Sequence, residues 1–289
     1  MIKFLGVLLA CALSAALTLP AEADQQEQQI GQQVYQQLQQ KGEIITSSPY
    51  YAILNPIGNR IKRVADAQYD APFHFILVHE SQPNAFAVPG GNVYVTDSMM
   101  SFAQNKEELA GVLCHETSHT IHHDVVHLAQ KQQYLDLGAN ILSALLGGGN
   151  VTNFILGTTD QLFGLRFSRG VEESADHTGA ITCAQAGINP WGMVWLFKNF
   201  EAKGGGHIEA LSDHPTDQHR ISLLQDEFSS DPALFARFSS NIATATPIMA
   251  AGFHTAAPAA YRSASAKAAA AAKRKHSATR SAAYCCAPH

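Results

Sequence analysis

The segment His115-Glu116-Thr117-Ser118-His119 constrains this chain more than any other. Residues four apart in a strand stand about 13 Å apart. On a helix they are neighbours on one face, about 6 Å apart. Two imidazoles can therefore reach one ion only if the segment is helical. The flanking sequence agrees. Asn105 is placed as an N-cap with Glu108 three residues on, the spacing of a capping box. Leu109, Val112, Leu113 and Ile121 continue the helical pattern. A match to the pattern arises by chance about 0.03 times in such a chain, so the motif needs this context to carry weight.

Two neutral imidazoles and a carboxylate suit zinc and leave a fourth position for water. One Zn2+ per chain is expected, held by His115 and His119. Glu116 lies one step around the helix, placed to take a proton as general base. The third ligand separates the alternatives. A histidine six residues beyond His119 would mark the metzincin pattern, but Val125 stands there. The segment Ser168 to Asp176 offers an acid instead. Glu172 and Asp176 are four apart on one helical face, Glu172 as metal ligand and Asp176 as an acceptor that orients a ligating histidine.

In this arrangement the chain resembles the gluzincin zinc metallopeptidases typified by HtpX, the CAAX-prenyl proteases and BepA. The resemblance rests on the HExxH segment and, about fifty residues later, on Ser168-Arg169-Gly170-Val171-Glu172-Glu173-Ser174-Ala175-Asp176. Three further segments fit: Asn84 to Gly91, His123, and His214-Pro215 followed by Arg220-Ile221. Ser174 stands where an acidic residue is common. The resemblance implies an α+β fold, a mainly helical zincin-like domain with a small β-sheet beside the HExxH helix. It implies a zinc endopeptidase acting on unfolded or misassembled protein or peptide substrates outside the cytoplasm. It also assigns His123 to the surroundings of the ligands. From another class, the alternative is a zinc-bound chaperone or assembly factor with weak or latent proteolysis. The complete set of ligands plus base favours catalysis.

His214 admits three readings: a loop histidine, a donor to the developing oxyanion, or a fourth metal ligand that holds the enzyme latent. The last is expected, with Arg220 positioning His214 or adding charge at the oxyanion. Val93-Tyr94-Val95, next to Pro89-Gly90-Gly91, is expected to be the sheet edge where an extended peptide docks.

The rest of the chain frames this centre. Lys3, the apolar run Phe4 to Leu19 and Ala21-Glu22-Ala23 form a cleavable export signal. The run is short of the ~20 residues of a membrane span. The expected divisions are a signal over 1–23, the metallopeptidase domain over 24–242, and a basic low-complexity tail over 243–289. The location expected is extracytoplasmic, most simply periplasmic. A net charge of -5 gives no reason to expect a nucleic-acid partner. The tail, with no acidic residue after Asp231, is suited to a membrane surface. Helices are expected at 25–41 (through Ile30, Val34, Tyr35 and Leu38), 53–64 with Pro56 in its first turn, 169–186, 190–201 and 217–224. Strands are expected at 73–78, 86–88 and 93–95, and a helix-loop-helix over 135–166. Cys114 and Cys183 are either buried thiols or one bridge.

Overall fold

The computed structural model describes residues 19–133, 166–203, 214 and 218–248, the side chains of 19–24 and 129–133 apart. Residues 1–18 of the signal expected over 1–23, most of the helix-loop-helix expected at 135–166 and the chain beyond 248 lie outside the described residues. Within them the fold is α+β, helices gathered about a three-stranded mixed sheet.

Helix α1 (Leu19–Gln40) carries the expected apolar stripe, and its Ile30, Val34 and Leu38 pack on Val78, Phe86, Val88 and Tyr94 of the sheet. Helix α2 (Tyr51–Ala65) starts two residues sooner than the sequence suggests. Ser48 Oγ accepts from the Tyr50 amide at 3.2 Å and starts the turn early. Pro56 therefore lies in the helix body, not the first turn, and its missing N–H removes one helical hydrogen bond.

The strands are β1 (His74–Val78), β2 (Ala85–Val88) and β3 (Asn92–Thr96). Their order is β1-β3-β2, with β3 parallel to β1 and antiparallel to β2. The β2–β3 turn places Gly90 and Gly91 both at φ +91, which a side chain resists. This order corrects one expectation. Val93, Tyr94 and Val95 are in the central strand, paired on both sides and wholly buried. Read as a simple meander, β3 would end the sheet. In the fold β1 returns parallel to β3 and covers that edge, Phe75 opposite Val93 and Leu77 opposite Val95. The edge left for the active helix belongs to β2.

After α3 (Asp97–Phe102) comes α4 (Lys106–Ile121), the motif helix. Its cap forms as the spacing implies: the Glu108 amide donates to Asn105 Oδ1 at 2.8 Å. The Glu108 carboxylate in turn accepts from the Gln104 amide at 2.9 Å and the Asn105 side-chain amide at 2.8 Å. Helix α4 is buried almost all round, polar residues included. Thr117 and Ser118 donate their hydroxyls to the Leu113 and Cys114 carbonyls at 2.7 and 2.8 Å, which satisfies groups that no water reaches. Helix α5 is Asp124–Gln133, α6 Arg169–Gln185, α7 Trp191–Ala202, α8 Gln218–Ser230 and α9 Pro232–Phe235. Ala180, Met193, Ile221, Leu224, Phe228 and Phe235 tie the last four into one core.

Two further findings refine the sequence reading. Cys114 and Cys183 form a disulfide, Cα–Cα 5.9 Å, which the sequence left open. The packed chain also runs past 242. The Lys106 amide donates to Thr246 O at 2.9 Å, and the Thr246 amide and hydroxyl both donate to the Glu107 carboxylate at 2.8 Å. Residues 243–248 thus cover the start of α4, where free backbone amides need partners. Among the described residues no helix is long and apolar enough to cross a membrane.

Candidate metal centre

Helix α4 presents His115 and His119 on one face, and α6 lies against it with Glu172 in its first turn. His214 arrives from a separate segment. One ligand atom from each of these four residues falls within a group less than 4.8 Å across. His115 Nε2 is 3.1 Å from His119 Nε2, 3.4 Å from His214 Nδ1 and 3.4 Å from Glu172 Oε2. Glu172 Oε1 is 2.9 Å from His214 Nδ1 and 3.9 Å from His119 Nε2.

These separations test the fit of a metal. Ligand bonds of about 2.0–2.1 Å in a tetrahedron place the ligand atoms about 3.3 Å apart. The observed values scatter about that edge. Glu172 Oε2 is buried without a well-aligned hydrogen bond, though Arg220 Nη1 lies 3.0 Å away. Three imidazole nitrogens facing one another, with an under-satisfied carboxylate oxygen beside them, are donors that a shared cation would satisfy. The chemistry of the donors, nitrogen and oxygen without thiolate, suits zinc among other divalent ions.

The surroundings fix the ligands' orientation. His115 Nδ1 sits 2.9 Å from Asp176 Oδ1, a close ion-pair contact. His119 Nδ1 lies 2.8 Å from Asp124 Oδ2. Each of the two rings thus has a carboxylate against Nδ1 and turns Nε2 toward the group, the arrangement that would orient it toward a metal. Asp176, expected to orient a ligating histidine, contacts His115, and Asp124, which no spacing singles out, contacts His119. His123 instead turns away, Nδ1 2.8 Å from Glu27 Oε1, with its backbone at φ 56. That left-handed residue ends α4 and redirects the chain so that α5 begins with Asp124 beneath His119. The one available signal was arithmetic: two ligating histidines need two acceptors, and the sequence reading had supplied one.

Arg220 also differs from expectation. It is wholly buried, and Nε and Nη2 each donate to Asp176 at 2.7 Å while Nη1 lies 3.0 Å from Glu172. Its guanidinium thus pairs with Asp176 behind His115 and with Glu172 of the ligand group itself. Phe167 was not foreseen either; it stacks on the His119 ring at 4.5 Å.

Electrostatics follow from this packing. Burial disfavours a charged His115, but the Asp176 and Glu172 carboxylates outweigh it and push the imidazole up to about 10. Burial likewise works against an ionised Glu172, and His214 and His115 prevail, so the carboxyl is held well below the usual range. Asp176 is lowered too, Arg220 and His115 overcoming burial. His119 is lowered, chiefly by burial and then by its imidazole neighbours against the opposing pull of Asp124. Without a metal, the centre is a nest of anions that keeps protons on His115. A divalent cation displaces such protons.

Glu116 points to the same centre without joining the ligand group. Its Oε2 accepts from the Ala87 amide of β2 at 3.1 Å, and its Oε1 is 3.6 Å from His214 Nε2. The edge of β2 therefore abuts the centre. Beside it, a small apolar cavity of about 30 Å³ has Val112, Met193, Leu196 and Phe197 in its lining together with His115 and Glu116.

Comparisons with known proteins agree with this centre. The model of Peptidase family M48 matches residues 52–228, which contain every ligand. The chain is 30% identical to a beta-barrel assembly-enhancing protease of Yersinia pestis over 72% of its length and 44% of that protein's. It is 27% identical to the mitochondrial metalloendopeptidase OMA1 of Schizosaccharomyces pombe, over 69% of this chain and 60% of that one. It is 31% identical to a protease HtpX homolog of Aquifex aeolicus, over 51% and 63%. The chain thus spans less than two thirds of each of these relatives. With the family model covering the helix pair, the small sheet and all four converging side chains, the chain belongs to Peptidase family M48.

Proposed function

We propose that this chain is a zinc endopeptidase that hydrolyses peptide bonds in unfolded or misassembled proteins outside the cytoplasm. The observation that carries the reading is the convergence of His115, His119, Glu172 and His214 beside a Glu116 that is held apart from them. A binding-only protein has no use for Glu116. Zinc, when bound by His115, His119 and Glu172, supplies a Lewis acid that polarises a carbonyl and acidifies water. Glu116 takes the proton released on attack and returns it to the leaving amine. The Ala87 amide holds the Glu116 carboxylate at 3.1 Å, which aims one oxygen and leaves the other for the proton. Asp176 and Asp124 keep the His115 and His119 rings oriented.

His214 supports a latent resting state. Its Nδ1, 2.9 Å from Glu172 Oε1 and 3.4 Å from His115 Nε2, would compete with a reacting water or carbonyl for a metal held there, and its departure would act as the gate. The edge of β2, Ala85–Val88, replaces β3 as the place where an extended peptide adds as a further strand. Main-chain recognition of that kind favours unfolded chains with loose sequence preference.

Two observations favour an exported protein. The buried disulfide is of a kind that persists in oxidising compartments. The relative from Yersinia pestis is named for enhancing β-barrel assembly, which fits clearance of proteins that fail to assemble. The basic tail is proposed to touch membrane surfaces and lies outside the described residues.

The test is zinc content and casein cleavage measured together on purified protein. Glu116→Gln retains near-stoichiometric zinc and loses cleavage, whereas His115→Ala, His119→Ala and Glu172→Ala lose both. A Glu116→Gln protein without zinc, beside a fully loaded Glu172→Ala protein, reverses the assignments. Wild-type protein that binds zinc but leaves casein intact even after His214→Ala favours the chaperone reading.

A further inference from the structure

Glu172, Asp176, Gly179 and Cys183 are spaced four, three and four residues apart, so they share one face of α6. Each meets α4 in turn. Glu172 approaches His115, Asp176 touches the other nitrogen of the same ring, and Cys183 is bonded to Cys114. Between them Gly179 lets the backbones close up. A Cβ there would stand 3.1 Å from the His115 amide nitrogen and 3.2 Å from the Cys114 carbonyl. The bridge therefore joins α4 one residue before the first ligand, and α6 at about 16 Å along its axis from Glu172.

Resting on the metal centre proposed above, we infer that the Cys114–Cys183 disulfide is a positioning device that fixes the axial register of the two ligand-bearing helices. The need is specific. Glu172 is only the fourth residue of α6, and the Ser168 side chain makes no cap hydrogen bond. A first turn of this kind frays. Two ligands come from α4, one comes from the uncapped first turn of α6, and a metal site tolerates misplacement of only about 0.5 Å. A slip of one residue between the helices moves Glu172 by about 1.5 Å. Apolar contacts resist separation of helices better than sliding. A covalent pin beside a glycine contact stops the sliding. Both cysteines are wholly buried, and thiol–disulfide exchange needs access to a sulfur. The bridge is thus a permanent pin, not a reversible switch.

A disulfide closing a span of 69 residues also stabilises the whole fold, so the test must separate register from stability. Zinc affinity is measured by competition with a chromophoric chelator, well below the melting transition. The wild type is compared with Cys114→Ala/Cys183→Ala and with Leu38→Ala, a core variant on α1, outside both ligand-bearing helices. The double variant is expected to fold, to bind zinc at least about tenfold more weakly, and to show a changed Co2+ absorption spectrum. Leu38→Ala is expected to melt earlier with unchanged affinity. Zinc affinity and Co2+ spectrum indistinguishable from wild type in the double variant overturn the inference, whatever the melting temperature does. If the alanine pair does not fold, Cys114→Val/Cys183→Ala refills the lost volume for the same titration. A chain that unfolds in both forms assigns the bridge to global stability and overturns the inference as well. Wild-type protein without zinc affinity counts against the metal centre itself and is thereby distinguished.

Discussion

His115 and His119 show what a pattern of residues can and cannot disclose. Their spacing predicts a shared ion, and Glu172 and Asp176 fall where the helical repeat puts them. Asp124 could not be found by spacing, because it reaches His119 only after the left-handed turn at His123. Arg220 was visible, but its partners were not: a buried guanidinium pairs with whatever carboxylate the tertiary packing delivers. Asp124→Asn and Asp176→Asn are each predicted to weaken zinc binding about 10–100-fold, by removing the acceptor that fixes a ligand's tautomer. A chelator competition assay reads this directly, and unchanged affinity would show that the rings are held by packing alone. For His214→Ala the prediction is a rise in basal casein cleavage with zinc still bound. A fall of about 10²–10³ with zinc retained assigns His214 to the oxyanion instead, and no change returns it to an ordinary loop histidine.

At the scale of elements, the helices were read well and the strand order was not. Periodicity is local, and α1, α2, α6 and α7 each show it within their own residues. The place of β3 depends on β1, some twenty residues earlier, coming back parallel, which no pattern inside Val93-Tyr94-Val95 reveals. The contacts of residues 243–248 are hidden from the sequence for a related reason. Ala243 to Thr246 look like tail by composition, yet Thr246 is bonded to Glu107 at the start of the motif helix. Two truncations separate these readings. A chain ending at residue 248 is predicted to melt like the full chain. One ending at 242 exposes the first amides of α4 and is predicted to melt several degrees lower, a loss of about 1–2 kcal/mol like that of a missing cap. Equal melting of both truncated chains would show that this contact contributes nothing. Asn105→Ala, which removes the cap itself, is predicted to cost about 1 kcal/mol in denaturant unfolding.

At the scale of the whole molecule, the candidate centre packs four carboxylates (Glu116, Glu172, Asp124 and Asp176), three imidazoles and one guanidinium together, and such a cluster ties stability to pH. The metal-free protein is the clean case. His115 is raised to about 10, so its contribution is full below its unfolded value of about 6.5 and drains away as pH climbs through 10. His214 is raised as well, burial opposing and Glu116 and Glu172 prevailing, and works in the same direction. Glu172 and Asp176 are lowered, so their contributions are full above about pH 4 and are lost as pH falls through their depressed values. His119, lowered chiefly by burial, resists taking a proton and adds to the acid-side loss below about 6.5. The metal-free chain is therefore predicted to be most stable in mildly acidic solution and to melt progressively earlier from about pH 7 to 10. On the proposed reading, zinc would take the place of the protons on the imidazoles, so the loaded chain would no longer depend on them. Its melting temperature is predicted to stay level over that alkaline range, and the gap between loaded and metal-free protein to widen as pH rises. Calorimetry of chelator-treated and zinc-loaded protein across the range measures this gap. A gap that narrows with rising pH would mean that the buried imidazoles carry no protons for the metal to displace.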